Sequence, residues 1–585
     1  MGASLSAGRS AFPAGRQDAS GYTFGVTSAD LRTDAPAIVT RNRWRDAFDG
    51  TLPEGWEPTM SVSVIIPAFK SKTLEFTLAS LAAQDYPEHL LEVVVLDDGG
   101  GEEPVEIGEY AHPNTRLIRV HEVNDGWGRS NATDIGIKAT TGDIIYWVDS
   151  DMILFRDNVR QHAKWAHFIP EAATIGDKGF IEEWDYTPEE VYRKVLDGTI
   201  ADDYDRSTLH EHWSKEIYRK TDDLNDSDGR NYSTHMGACA SVTREVYDRT
   251  FGQDTRLHLG EDTEIAYQLW QAGAVFIPAH DALSWHMGRG TIQDHAAKVS
   301  WHNDVHFAQR MPIPRYRRRA ENRVWEVPLV TVVAEVTAET AAWARPAIDR
   351  VLNNTQTDLR VVLVGPWSEL HEGRRRMLAD PMNELYLVRE WFRSDCRVVL
   401  AEERPESVFP SPFRIDMPIT AELSSTSIHD MYRAIDTRWL GAIRFFTPGH
   451  DNADAVTIWN SAAVARARRY VSPDFPIEDA VARVAGFEWA SSEVASVSDL
   501  RESGETETKI VRVDPRVAQL EKDLWRMQRR AEAAEAAVRD QVSLARGVAR
   551  KANALTGGRA GVVLRKGNRL LGGNPSRIAR RLLGR

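Results

Sequence analysis

The chain has 585 residues, of which 42% are hydrophobic, and a formal net charge of -14 at pH 7. This length and composition predict a globular protein of about three to four domains and argue against a general nucleic-acid binder. Only two cysteines occur, Cys239 and Cys396, and their wide separation argues against a disulfide framework or a structural zinc site. No apolar run reaches the roughly 20 residues needed to cross a bilayer, and the N-terminus lacks the apolar core of a secretory signal. We therefore expect a cytoplasmic protein.

The first regular elements are predicted after residue 60. Residues 1–60 are rich in Gly, Ala, Ser, Arg and Asp without sustained periodicity, so we expect a mostly extended lead-in segment. A β-branched run at 61–67 predicts a strand, leucines at helical spacing over 74–82 predict a helix, and "LLEVVVLDDGG" predicts a second strand. A strand, a helix and a strand within about 35 residues form a βαβ unit, which implies a parallel sheet with a right-handed crossover.

Carboxylates follow two of the predicted strands. Asp97 and Asp98 end the second strand, and Asp149 and Asp151 follow the apolar run 144–148. In an open parallel α/β sheet these strand ends share the edge at which ligands bind, and paired carboxylates there can hold a divalent cation whose other ligands are phosphate oxygens. Alternatives stay open for both pairs. The first pair also suits a type I turn, and the second suits a solvated loop or a helix cap.

Six motifs, taken in order, resemble the nucleotide-sugar-binding half of the inverting glycosyltransferases of family 2. They are "SVIIPAF", "QDYP", "VVVLDDGG", "NDG", "ATDIGI" and "GDIIYWVDSDM", and the resemblance covers residues 60–310. It implies a GT-A fold, an α/β Rossmann-like domain that binds a nucleoside-diphosphate sugar. Gly99 or Gly100 and Asp134 replace the Ser and Asn usual in the family, and the loop before the helix is two residues longer. These departures leave the sugar preference open.

The resemblance also implies roles for individual residues. The implied donor-binding residues are Pro67, Phe69, Asp97, Asp98, Asn124, Gly126 and Asp149. Asp149 and Asp151 correspond to a D-x-D motif that binds ribose and a Mn²⁺ or Mg²⁺ ion on the diphosphate. Farther along, "SWHMGRG" places His286 where several members have a metal ligand, although a lone His is more often structural. Arg289 would then hold the phosphates of the donor.

A further acidic pair begins a predicted helix, "GEDTEIAYQLWQAG". Glu261 and Asp262 lie in its first turn, where the helix dipole stabilises an anion, so simple capping also explains the pair. The resemblance implies that Asp262 is the base that takes the proton from the acceptor hydroxyl and that Glu261 helps to orient the acceptor. An alcohol is a poor nucleophile without such a base, and a cation must neutralise the departing diphosphate.

Residues 155–234 are longer than a simple connection and rich in Trp, Tyr and acidic residues. Such side chains stack on sugars and hydrogen-bond to them, so we expect the acceptor here, with Trp184 as the better candidate. The alternative is an ordinary amphipathic helix. Its core face would be Val191, Tyr192, Val195 and Leu196.

A second unit repeats the order of strand, helix and strand. Val62 and Val330 are 268 positions apart, as are Val93 and Val361. The constant offset predicts an internal duplication of the GT-A unit over 328–500.

The second copy lacks the chemistry of the first. Gly365 and Pro366 replace the first carboxylate pair. Matching "AIRFFTPGHD" to the metal strand places Pro448 and His450 at the positions of the metal carboxylates. We therefore predict a degenerate, non-catalytic domain that positions the acceptor or a partner.

The C-terminal region differs from the rest of the chain. Apolar residues three and four apart predict a coiled-coil helix over 514–556, which favours a homo-oligomer, although a helix docked on its own domain would show the same pattern. Residues 541–585 contain eleven Lys or Arg and no Asp or Glu. A basic amphipathic tail over 557–585 could lie on an anionic membrane surface, at the inner face of the cell membrane, or bind a polyanion. A disordered solubilising tail is the alternative.

These observations together predict a catalytic GT-A domain over 61–314, a degenerate GT-A-like α/β domain over 328–500 and a C-terminal helical tail. The predicted reaction is the metal-dependent, inverting transfer of a sugar from a nucleoside-diphosphate sugar to a saccharide or lipid-linked glycan acceptor. Nucleic acid is not expected as a partner. Two alternatives stay open. One is a catalytically inactive glycan-binding scaffold. The other, a sugar nucleotidyltransferase, would need a Gly-rich basic loop after the first strand, which "PAFKSK" does not provide.

Overall fold

The structure is a computed structural model, and it describes most of the chain between residues 37 and 503. The described residues are 37–503 without 102, 289, 290, 319, 321, 322, 374, 375, 447–453 and 472–475, together with 523, 524, 526, 527, 529 and 530. The side chains of 291–296 and 378 are likewise not described. The predicted coiled coil at 514–556 is described only at those last six residues, and the predicted tail at 557–585 lies outside the described residues.

The described part of the chain alternates strands and helices in two successive sets. The first set of strands is β1 Val62–Ala68, β2 Leu91–Asp97, β3 Thr115–Arg119, β4 Ile144–Val148, β5 Met152–Leu154, β6 Ala172–Ile181, β7 Cys239–Thr243 and β8 Val275–Met287. The second set is β9 Val330–Glu335, β10 Leu359–Val364, β11 Val398–Ala401, β12 Phe413–Asp416, β13 Ala421–Leu423, β14 Ala442–Phe446, β15 Val456–Asn460, β16 Phe487–Ser491 and β17 Val497–Asp499.

The α-helices of the described residues accompany these strands. Those of the first set are α1 Trp44–Ala47, α2 Leu74–Ala82, α3 Val120–Val123, α4 Arg129–Lys138, α5 Asn158–Phe168, α6 Pro188–Asp197, α7 Ser214–Lys220, α8 Arg244–Tyr247, α9 Glu261–Gln271 and α10 Thr291–Arg310. Those of the second set are α11 Ala341–Leu352, α12 Asn383–Phe392, α13 Ser427–Arg438, α14 Ser461–Ala467, α15 Ile477–Ala485 and α16 Leu500–Ser503. None of the described helices combines the length and the apolar character needed to span a bilayer.

The first sheet has the strand order β3-β2-β1-β4-β7-β6-β8-β5. β1 pairs in parallel with β2, as the βαβ pattern predicts, and also with β4. β7 runs antiparallel to both of its neighbours. The central strands are apolar on both faces because helices cover the sheet on both sides. Gly136 shows how closely they pack, since a Cβ added there would lie 2.8 Å from the Ile65 side chain and 2.8 Å from that of Leu96.

The second sheet repeats this arrangement in the order β11-β10-β9-β12-β15-β14-β16. Each neighbouring pair is parallel or antiparallel as in the first sheet, with β9 taking the place of β1 and β15 that of β7. The registers agree as well, because Val330 lies opposite Leu359 as Val62 lies opposite Leu91. The structure therefore confirms a second α/β unit of the same topology, which is the expected result of a duplication.

One detail of the predicted match is wrong. The strand of "AIRFFTPGHD" is β14, which occupies the position of β6 and not that of β4. β12 stands beside β9 where β4 stands beside β1, and its sequence "FRID" is too short and too polar to have been recognised. Its register places Pro418 and Thr420 at the positions of the metal carboxylates. Pro448 and His450 lie outside the described residues.

Both sheets belong to one compact unit, Met1–Thr508. Ala462, at the start of α14, packs in the same apolar cluster as α9 and β4 of the first set. Arg466, also on α14, is 4% exposed and donates to the carbonyl oxygens of Gly273 and Ala274, each at 2.8 Å. These two carbonyls follow the C-terminal end of α9. The second sheet thus holds the far end of a helix whose N-terminus reaches the site described next.

Candidate functional site

A cavity of about 1110 Å³ opens at the carboxyl-terminal edge of the first sheet. The ends of β1, β2 and β4 and the N-terminus of α9 surround it. Eight of the predicted site residues line it, namely Pro67, Phe69, Asp98, Asp149, Asp151, Glu261, Asp262 and His286. The fold brings these separate motifs to one place because the strand ends of an α/β sheet converge on its ligand-binding edge.

Two carboxylates and an imidazole meet at the centre of this cavity. Asp149, Asp151 and His286 each offer one ligand atom, and the three atoms lie within 4.8 Å of one another. Met152 of β5 pairs with His286 of β8, so the strand register sets the imidazole beside the carboxylates. Nε2 of His286 lies 3.6 Å from Oδ1 of Asp151, and this oxygen is buried without a hydrogen bond from the described residues. Such an unpaired buried oxygen in an N- and O-donor set fits a divalent metal ion.

Arg129, the first residue of α4, connects the two acidic pairs. Its Nη2 and Nε donate to Oδ1 of Asp149 at 2.7 and 3.1 Å, and its Nη1 donates to Oε1 of Glu261. Burial favours the neutral form of Asp149, but the charge of Arg129 outweighs it and holds the pKa of Asp149 below its usual value. Asp151 is partly buried beside Asp149 without a bond to Arg129, and both effects raise its pKa to about 7.

Glu261 and Asp262 enter the cavity from the N-terminus of α9. Gly260 precedes them with φ +90°, a left-handed conformation that favours glycine. Glu261 is buried, which raises its pKa to about 7 despite Arg129, and its Oε2 has no hydrogen-bond partner among the described residues. Oδ1 of Asp262 accepts the N–H of Thr263 at 2.7 Å. Asp262 therefore satisfies a helix N–H, as the capping interpretation expected, and also lines the cavity.

The rim beside β1 and β2 is aromatic and tightly built. Phe69 and Trp127 are exposed, and their ring centroids lie 5.8 Å apart at 86°. The N–H of Gly128 donates to Oδ2 of Asp98 at 2.8 Å, which ties the loop before α4 to the end of β2. Gly128 has φ +103°, and a Cβ there would lie 2.9 Å from Nδ1 of His258. Burial raises the pKa of Asp98.

Four predicted site residues are not among those that line the cavity. Asp97 is 0% exposed and accepts a backbone N–H two residues farther on at 3.0 Å. Asn124 accepts the N–H of Gly126 at 2.9 Å and exchanges amide hydrogen bonds with Asn131, so the loop itself uses both predicted residues. Arg289 lies outside the described residues. The donor-binding roles of these four residues stay predictions.

The segment 155–234 supplies residues that its sequence did not single out. Val191 and Val195 of α6 are buried, as the amphipathic-helix interpretation expects, whereas Leu196, also expected on that core face, is 40% exposed. Trp184 packs against the same apolar cluster and is not among the residues that line the cavity. Trp213 does line it. The sequence around Trp213 does not predict that it lines the cavity, because only the tertiary fold brings it there.

The α/β sheet and the acidic strand ends around one cavity are those of a GT-A domain. Residues 63–251 match the model of Glycosyl transferase family 2, and they form a domain of that family. The predicted family and fold class are confirmed.

Known relatives resemble this chain over part of their length. Chondroitin synthase from Pasteurella multocida (strain Pm70) is 22% identical over 349 residues, which cover 56% of this chain and 35% of the relative. An N-acetylglucosaminyltransferase from Mesorhizobium japonicum is 37% identical over 120 residues, which cover 20% of this chain and 27% of the relative. This chain therefore spans about a third or less of the length of these two relatives.

Among solved structures, a mannosyltransferase from Pyrobaculum calidifontis in complex with GDP-Man and Mn²⁺ is similar to this chain. It has 20% sequence identity and a TM-score of 0.27, with coverage of 45% of this chain and 69% of the other.

Proposed function

We propose that this chain is a metal-dependent, inverting glycosyltransferase that moves a sugar from a nucleoside-diphosphate sugar to a saccharide or lipid-linked glycan acceptor. One observation carries the proposal. A single cavity contains a three-residue set suited to a divalent metal, Asp149, Asp151 and His286, and a carboxylate suited to act as a base, Asp262. This transfer uses both, the ion on the departing diphosphate and the base on the acceptor hydroxyl, whereas a glycan-binding scaffold needs no base.

The donor would lie along the edge formed by β1, β2 and β4. Phe69 offers an exposed ring to the nucleoside, and the buried Asp98 carboxylate, held by the Gly128 N–H, offers an acceptor for its polar groups. Asp149, Asp151 and His286 would hold Mn²⁺ or Mg²⁺, since carboxylate oxygens suit both ions. When bound, the ion supplies positive charge that stabilises the departing diphosphate.

The chain's own residues then act on the acceptor. Asp262 takes the proton of the acceptor hydroxyl while the new C–O bond forms at the anomeric carbon. The bond from that carbon to the phosphate oxygen breaks on the opposite face, and its electron pair leaves with the nucleoside diphosphate, so the anomeric configuration inverts. Glu261 is fixed by Arg129 through Oε1, and its free Oε2 can accept a second acceptor hydroxyl. Arg129 thereby couples the position of Glu261 to that of Asp149.

Donor hydrolysis provides the test before any acceptor is known. A panel of nucleotide sugars with Mn²⁺ is first screened for a rise in Tm, because a ligand that binds the native state stabilises it. With the best donor we expect slow hydrolysis by the wild type, loss of both Tm shift and hydrolysis in Asp151→Ala, and a retained Tm shift without hydrolysis in Asp262→Asn. If none of the three proteins hydrolyses the donor and the donor shifts the Tm of all three equally, an inactive scaffold is favoured. NMR of the released or transferred sugar reports the anomeric configuration.

The wider organisation of the chain belongs to the same proposal. We propose two domains, at 61–314 and 328–500, and a homo-oligomer formed through 514–556. We also propose that the enzyme is cytoplasmic and that its basic tail at 557–585 lies on an anionic membrane surface. Support comes from the heptad pattern and the charge of the tail. Sedimentation of the chain with anionic and neutral lipid vesicles, compared with a variant that lacks 557–585, tests the membrane contact.

A further inference from the structure

A continuous aromatic wall runs through the cavity from the metal set to solvent. Phe180 lies 4.7 Å from His286 and 6.0 Å from His212, measured between ring centroids, and it stacks on His212 at 17°. His212 in turn lies 5.3 Å from Trp213, which is 50% exposed. The wall stands on β6 and the segment before α7, apart from the Phe69 and Trp127 rim.

The wall is held in place by its neighbours. Nδ1 of His212 lies 2.9 Å from Oγ of Ser214 and accepts the N–H of the same residue at 3.3 Å. Burial and the positive charge of Lys178 lower the pKa of His212 to about 3, so the ring is neutral at pH 7. A neutral, fixed ring beside an exposed indole is a surface on which a sugar ring can stack.

Lys178 adds a positive charge to the same side of the cavity. It lies two residues before Phe180 on β6, so both side chains leave the same face of the strand. Lys178 lines the cavity. Its ammonium group makes no hydrogen bond or ion pair with any residue that the structure describes, although the charges of Asp149, Asp262 and Asp177 act on it from farther away. Its neighbour in sequence, Asp177, is already paired with Arg206 at 3.0 Å and with Lys215. Asp149 and Glu261 are bound to Arg129.

A partly buried ammonium group that no carboxylate contacts directly is stabilised when a ligand brings a negative charge within hydrogen-bond distance. We propose that the aromatic wall and Lys178 form the acceptor subsite, and that the acceptor is an acidic saccharide. Its ring stacks on Trp213 and His212, and its carboxylate pairs with Lys178. This inference rests on the proposed function, because it assigns the side of the cavity that the donor leaves open.

The test compares one acidic saccharide with its uncharged twin. The probes are a disaccharide that ends in glucuronic acid and the methyl ester of the same disaccharide, titrated into the full chain by calorimetry. We expect the wild type to bind the acid at least tenfold more tightly than the ester. Lys178→Met should bind both as weakly as the wild type binds the ester, and Lys178→Arg should keep the preference. Trp213→Ala should weaken both probes.

Matched controls separate the subsite from general damage. Lys215→Met removes a nearby lysine that is already paired with Asp177 and should keep the preference for the acid. Trp301→Ala removes a tryptophan that is 64% exposed on α10 and does not line the cavity, and it should bind both probes as the wild type does.

Donor binding is measured in parallel as the Tm shift by the nucleotide sugar with Mn²⁺. A normal donor shift without any preference for the acid would overturn this inference and leave the proposed function intact. A donor shift lost in Lys178→Met, with the preference for the acid unchanged, would also overturn it and assign Lys178 to the diphosphate. No donor shift in any protein would instead count against the proposed function.

Discussion

Replacing Arg466 with methionine should destabilise the whole unit and not the second sheet alone. The methionine keeps most of the length of the side chain and removes the guanidinium group. In the wild type this group donates to the carbonyls of Gly273 and Ala274, each at 2.8 Å, and to those of Val39 and Arg41. Four carbonyl oxygens from the first sheet and the lead-in segment thus depend on one side chain of the second set.

The size of the effect follows from these contacts. A hydrogen bond from a charged donor contributes about 1.5–3 kcal/mol, and an acceptor left buried without a partner costs a similar amount. Counting only the two bonds at 2.8 Å, the loss in the free energy of unfolding is roughly 3–6 kcal/mol. Arg468, two residues farther along, provides the control, because its side chain is 46% exposed and its ion pair with Glu406 spans 3.7 Å. Its Nη2 also donates to the carbonyl oxygen of Glu406 at 2.7 Å, but this bond is exposed to solvent. Arg468→Met should cost less than about 1 kcal/mol.

Urea unfolding at 25 °C, followed by tryptophan fluorescence and by circular dichroism, measures both losses. Coincident transitions by the two probes would show that the sheets unfold together. A loss for Arg466→Met no larger than that for Arg468→Met would refute the reasoning, since water would then replace the guanidinium at little cost.

Three further predictions concern the first sheet. Arg129→Met should reduce donor hydrolysis at least 100-fold while the Tm falls by only a few degrees, because two carboxylates of the cavity lose their shared partner; an unchanged hydrolysis rate would contradict this. Gly136→Ala should lower the free energy of unfolding by about 1–3 kcal/mol, although alanine favours a helix by about 1 kcal/mol, because its Cβ would lie 2.8 Å from neighbouring side chains. Burial lowers the pKa of His162 to about 3, so stability from this group is lost as pH falls from 6.5 toward 3. The Tm difference between wild type and His162→Gln should therefore narrow between pH 7 and pH 5, and a constant difference would contradict it.

The sequence was informative where apolar runs and acidic motifs coincide. The sequence predicts β1, β2 and β4 as strands, and the parallel pairing of β1 with β2, because each is a short apolar run that ends in a recognisable group. Offsets in the sequence also revealed the second unit. β12 was missed because its letters, "FRID", mix charge with apolar residues over four positions, so the more apolar β14 was matched in its place. Strand order, and not hydrophobicity, identifies the equivalent strand.

Contacts between residues far apart in the sequence could not be predicted, and these contacts build much of the site. Arg129 and Glu261 are 132 positions apart, and no local pattern predicts that one guanidinium serves both acidic pairs. Trp213 and Lys178 likewise belong to the segment 155–234, whose sequence predicts only an amphipathic helix and its connections. For Asp97 the sequence does not show that the carboxylate is fully buried and accepts a backbone N–H, and its donor-binding role stays a prediction.

The contact between Arg466 and the residues after α9 matters for any attempt to produce the first sheet alone for crystallisation or screening. Cutting the chain ahead of β9 would remove Ala462 from the apolar cluster behind α9 and strip the acceptor oxygens of Gly273 and Ala274 of their guanidinium. The truncated protein would expose a hydrophobic surface next to α9, the helix that carries Asp262. We therefore expect a fragment cut at the boundaries of the family match to be unstable. Both sheets should be kept together in a protein made for structural work.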